Sequence, residues 1–200
     1  KISLTLVVVT FGLNKLKAQT ERNGLLYLII TFMIQNKIDY IKRGAFDELY
    51  TPKEAIECIL PYIPDTVKVI WECTAIENSE IVTVLKANGF EVIKSHIKDD
   101  LDFFEYEPQH YDLIITNPPY SFKDQFLKRA FELDKPFMML LPITTLEGKK
   151  RSKMFQQHKV QILIPSKRFN FIKEKKGSWF QTSWFTWKLN LKNDLIFMNV

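Results

Sequence analysis

Apolar positions along the chain fall into short, dense runs separated by longer stretches in which they recur every three or four residues. The dense runs are residues 67–71, 90–93, 113–115, 137–141 and 160–164. Each is the length of a buried strand, and several are rich in β-branched or aromatic side chains. The spaced pattern lies between them. Ile81, Val82, Val84 and Leu85 share one helical face behind Ser79, and Asn88-Gly89 marks the stop. Phe122, Phe126, Leu127, Ala130 and Phe131 line a second helix. Ahead of the first strand, Ala55, Ile56, Ile59, Leu60 and Ile63 line a third, with Thr51 expected as N-cap, Pro52 as first helical residue and Glu54 closing a capping box. Strand and helix therefore alternate, which predicts an α/β domain with a parallel sheet. Residues 173–177 are too few to carry a crossover helix, so residues 178–189 must return antiparallel to a neighbour.

The 113–115 strand ends in Thr116-Asn117-Pro118-Pro119-Tyr120. Two consecutive prolines remove ladder donors, fix φ near −65° and push their predecessors out of the α region. A stiff loop must leave the C-terminal edge of the sheet, where open α/β sheets bind ligands. The Asn117 side-chain carbonyl and the Pro118 main-chain carbonyl would be two fixed acceptors for one planar NH2 group. Tyr120 would offer a face for stacking. An exocyclic amine on a base is a poor nucleophile because its lone pair is delocalised into the ring. Two acceptors that draw its hydrogens out of plane would localise that pair, by positioning and electrostatics without a charged base.

This loop resembles the catalytic motif of S-adenosylmethionine-dependent amino-methyltransferases, and the similarity runs from about Asp47 to Leu189. It is nearest to small adenine-specific enzymes of phage and bacterial type. The resemblance implies a Rossmann-like methyltransferase fold with a seven-stranded mixed sheet, a terminal antiparallel hairpin and helices on both faces. It implies S-adenosyl-L-methionine as cofactor and transfer of methyl to an exocyclic amine, adenine N6 in DNA foremost, with cytosine, RNA or a protein glutamine also within the family's range. Asn117, Pro118, Pro119 and Tyr120 would be catalytic. Thr51-Pro52, Glu72, His96, Asp102 and Phe103 would hold the cofactor. Family members place a glycine-rich loop after the first strand, whereas this chain has Glu72-Cys73-Thr74-Ala75-Ile76-Glu77-Asn78-Ser79. They also place an acid after the second strand, where this chain has Ser95-His96.

Composition fits this reading without demanding it. Two hundred residues suit one domain with a sizeable core. A net charge of +5 favours a polyanionic partner only mildly. Cys58 and Cys73 follow no metal spacing, and three scattered histidines make no zinc pattern. Reduced thiols and a nucleic-acid substrate point to the cytoplasm. Residues 1–32 do not fit the rest: their apolar runs are shorter than the ~20 residues that span a bilayer, and they resemble a weak signal peptide. The expectation is a methyltransferase domain at 33–200 beginning at Met33, with 1–32 as read-through or a poorly packed extension and no stable membrane association of the core. Too few residues remain for a separate target-recognition domain, so specificity would be low or supplied by a partner. Two rival readings stand: a nucleic-acid-binding protein that has lost methyl transfer, and a nucleotidyltransferase using Asp100 and Asp102 with a metal.

Overall fold

The computed structural model describes residues 50–171 and 180–200. The expected boundary at residues 32/33 lies outside them. Among the described residues the chain builds one seven-stranded sheet. Its strands are β1 Val69–Glu72, β2 Glu91–Lys94, β3 Leu113–Thr116, β4 Phe137–Pro142, β5 Gln161–Pro165, β6 Thr182–Trp187 and β7 Leu195–Met198, in the order β2-β1-β3-β4-β6-β5-β7. The four strands β2, β1, β3 and β4 are mutually parallel. β6 runs antiparallel to both β4 and β5, as the short 173–177 stretch requires, and β7 pairs parallel with β5. The predicted seven-stranded mixed sheet is present. The antiparallel pair β5–β6 is not its last element, because β7, a run of four apolar residues beyond the strands expected above, adds a further edge strand. Its run Leu-Ile-Phe-Met is buried only at Met198.

Helices cover both faces. On one side α1 (Lys53–Glu57), Ile59 just beyond it and α2 (Glu80–Ala87) pack Ile56, Ile59, Ile81 and Leu85 against Ile70, Leu113, Ile115, Met138 and Leu140. Trp184 belongs to this layer, and its Nε1–H donates to the Ala55 carbonyl at 3.0 Å, tying β6 to α1. The other face is aromatic. Phe103 stacks on Phe126 of α3 (Lys123–Glu132) with ring centroids 4.8 Å apart, and lies 5.3 Å from Trp71. Phe131 meets Phe137, and Phe155 of α4 (Lys149–Gln157) lies 5.9 Å from Phe185. Alternation along each strand divides the two layers: Ile70 faces one side and Trp71 the other.

Two caps follow the sequence and one does not. Ser79 accepts from the Val82 N–H and starts α2, and Gly89 turns with φ +88° after it. For α1 the N-cap is Pro52, with no side-chain cap, so the expected Thr51 cap and Glu54 capping box do not form. Thr51 is drawn elsewhere, into the site described below. No helix among the described residues is long and apolar enough to cross a membrane.

Candidate active site

The strand order reverses between β1 and β3, and the C-terminal ends of those two strands meet there. This is the place at which an open α/β sheet leaves a crevice. β1 delivers Glu72 to it and β3 delivers Thr116-Asn117-Pro118-Pro119-Tyr120. Thr116 Oγ1 donates to Glu72 Oε1 at 2.8 Å, and Thr74 reaches the same oxygen with its N–H at 2.9 Å and its hydroxyl at 3.1 Å. The two threonine hydroxyls lie 2.7 Å apart, and Thr74 Oγ1 is 3.3 Å from the Asn117 carbonyl. One hydroxyl pair thus links the buried acid on β1 to the main chain of the proline loop. Thr74 and Thr116 were not among the sequence-predicted site residues; their signal was a hydroxyl residue at the end of each of two adjacent strands.

Glu72 is 1% exposed, and no lysine or arginine among the described residues pairs with it. Burial pushes its carboxyl up to about 7, against the opposing pull of the Thr74 and Thr116 hydrogen bonds. A buried acid left without a counter-ion favours a cationic ligand.

Asn117 is held from the other side. Its Nδ2 donates to Thr51 Oγ1 at 3.0 Å, and Thr51 itself is buried. Its Oδ1 is buried and accepts no hydrogen bond among the described residues. Such an acceptor is costly to leave unmet, by about 1–3 kcal/mol. Thr51, 66 residues away in sequence, therefore fixes which end of the amide faces the crevice. Pro118 is buried; Pro119 and Tyr120 are half-buried, and the Tyr120 ring stands edge-on to Phe180 at 5.6 Å. A 3-10 turn, Tyr120–Phe122, leads straight into α3.

The structure brings Thr51, Pro52, Glu72 and the Asn117–Tyr120 loop to one sheet edge, with Ser95-His96 following β2 on the same edge. His96 is buried, and its Nδ1 accepts from the Lys98 N–H at 3.1 Å, capping the turn Ile97–Asp99. Asp102 is buried and its Oδ1 accepts from the Phe104 N–H at 3.1 Å. Phe103 is 2% exposed and stacked inside the aromatic layer. No cluster of three or more His, Cys, Asp or Glu able to hold a metal occurs among the described residues. In the glycine-free loop after β1, Asn78 takes a left-handed φ of +61° immediately before the Ser79 cap. Asparagine tolerates that region better than most residues and supplies the turn here.

No protein-family profile and no curated protein matches the chain. Among solved structures it is similar to a type I restriction-modification system methyltransferase subunit from Streptococcus thermophilus, at 14% identity and TM-score 0.45, over 75% of this chain and 46% of that one. It is also similar to a predicted O-methyltransferase, Atu636, from Agrobacterium tumefaciens, at 11% identity and TM-score 0.37, over 71% of this chain and 84% of that one. The chain thus spans about half the length of the Streptococcus subunit, and what its own coordinates establish is a Rossmann-like α/β domain with a seven-stranded mixed sheet.

Proposed function

We propose that the protein is an S-adenosylmethionine-dependent methyltransferase acting on an exocyclic amine, adenine N6 in DNA. The observation that carries this reading is the Asn117 amide, tethered through Nδ2 to Thr51 and presenting a buried Oδ1 with no partner among the described residues. An acceptor held in this way awaits an N–H of a ligand. The Pro118 carbonyl is the second acceptor, and the Tyr120 ring supports the base. A base in duplex DNA would have to be flipped out to reach them.

The residues present suit the cofactor. Its methionine end is cationic, and Glu72 is a buried acid with no cation to balance it. When bound, S-adenosylmethionine supplies a methyl group on a sulfonium. Glu72 would hold the cationic end, with Thr74 and Thr116 fixing the carboxylate. Thr51-Pro52 would lie between cofactor and Asn117, while His96 and Asp102 would border the nucleoside portion from the β2 side. Phe103 would act indirectly, by packing beneath that region.

The test is transfer of labelled methyl to separate DNA, RNA and protein pools by the wild-type chain and by Asn117→Ala. DNA should be labelled, and the variant should lose at least ~10²-fold in turnover, the scale of one preorganised polar contact, with cofactor binding held. Near-normal turnover in the variant would remove Asn117 from the mechanism. No heat of cofactor binding in calorimetry, together with no transfer to any pool, would favour a nucleic-acid-binding relative that has lost catalysis.

A further inference from the structure

Residues 141–171 carry seven lysines and arginines against one glutamate, a net of +6, whereas the whole chain is +5. Residues 47–140, by contrast, carry nine lysines and arginines against eighteen carboxylates, a net of −9, so the charge of the sheet domain changes sign after β4. The fold gives that concentration a position. β4 and β5 are parallel to β3, so the loops that follow them emerge at the same sheet edge as Asn117. Lys149, Lys150 and Lys153 stand on α4 just after the β4 loop, and Lys167 follows β5 directly; all four are exposed. None of the four pairs with a carboxylate among the described residues.

Arg151 plays a different part. It is bound to Asp124 of α3 at 2.8 Å and donates to the Thr145 carbonyl, so it anchors α4 while the lysines around it stay free for solvent. The lysines do nothing for the helix itself. Cations in a first turn oppose the helix dipole, and α4 has neither an acid there nor a side-chain cap.

The other half of the edge has the opposite character. Residues 72–79 and 94–102, which follow β1 and β2, hold five carboxylates and two lysines. Charge is thus divided about the Asn117 loop, with cations on the β4–β5 side and acids on the β1–β2 side.

We propose that Lys149, Lys150, Lys153 and Lys167 form a track for the phosphates of a DNA strand, leading to the Asn117 loop from the β4–β5 side only. This rests on the amine-methyltransferase reading for the purpose of the track, though not for its existence. From β3 the track begins one strand away and ends three strands away, about 5–15 Å at the usual strand spacing. That span covers roughly four phosphates at one charge per 3.4 Å. The acidic half of the edge would repel the backbone and stay open to a cationic cofactor.

The experiment is the salt dependence of binding of a fluorescent single-stranded DNA oligonucleotide to the full chain, without cofactor. Wild type is compared with Lys149→Gln/Lys150→Gln/Lys153→Gln/Lys167→Gln. An equal-charge control, Lys68→Gln/Lys86→Gln/Lys128→Gln/Lys192→Gln, removes exposed lysines from elsewhere in the fold. At about 0.7 per released contact, the log–log salt slope of the track variant should be shallower by about 3, and the control should keep the wild-type slope. Equal slopes in the two variants, or no DNA binding by wild type at low salt, would overturn the track. Methyl transfer plays no part in this readout. A lost slope in a protein that transfers no methyl would uphold the track and reject the catalytic reading. An unchanged slope with intact transfer would reject the track alone.

Discussion

Glu72 shows how one buried residue can link stability, pH and ligand binding. Its carboxyl is raised to about 7 by burial, from 4.5. Between those values the folded state binds the proton more tightly than the unfolded chain. Stability is therefore lost as pH rises from about 4.5 to about 7, by at most ~3 kcal/mol. Glu72→Gln cannot titrate, so without cofactor it should melt above wild type at pH 8 and together with it near pH 4. A cationic ligand needs the ionised form, so wild-type cofactor affinity should improve from pH 6 to pH 8, as read by calorimetry, and that improvement should vanish in the variant. Parallel melting of the two proteins across the range would mean that Glu72 is already charged in the fold. Thr51 teaches a related lesson at the same scale. Thr-Pro-Lys-Glu is a sound capping sequence, but the hydroxyl is taken by the Asn117 amide. Nothing in local sequence records a partner 66 positions away.

The strands are held in register by devices of different legibility. Asp112, just before β3, accepts from both the Lys68 and Val69 N–H groups at 2.8 Å through Oδ2. Those two hydrogen bonds lower its pKa. It ties the start of β1 to the start of β3, and so helps to align the ends that carry Glu72 and Asn117. Asp112→Ala should cost about 1–3 kcal/mol in denaturant unfolding at neutral pH, since two charge-assisted bonds are lost and the part-buried Val69 N–H is left without its acceptor. A depressed carboxyl contributes stability above its unfolded pKa and loses it as pH falls through the folded one. The gap between variant and wild type should therefore narrow on acidification. A gap independent of pH would assign the loss to packing instead. Sequence spacing revealed the strands here, but Asp112 looked like any polar residue at a strand start.

At the scale of the whole molecule, residues from Ala55 to Met198 line both faces of the sheet. On the proposal that the methyltransferase domain begins at Met33, a chain starting there is expected to melt within a few degrees of the full-length protein. Loss of an integral element would instead cost several kcal/mol and lower the midpoint by roughly 10 °C or more. Differential scanning calorimetry of the two chains decides between these outcomes. What the sequence determined by itself was the alternation of strand and helix, the antiparallel return of β6 and the stiff Asn-Pro-Pro-Tyr loop. Each follows from forces acting over a few residues: burial periodicity, chain reach and the missing N–H of proline. Only the tertiary structure decided that β7 adds an edge, that Phe103 belongs to the core, that Thr51 serves Asn117 and that Thr74 and Thr116 bridge Glu72 to the loop. Those outcomes depend on which buried polar and apolar groups meet once the sheet is assembled, and that meeting is set by strand order rather than by neighbours in sequence.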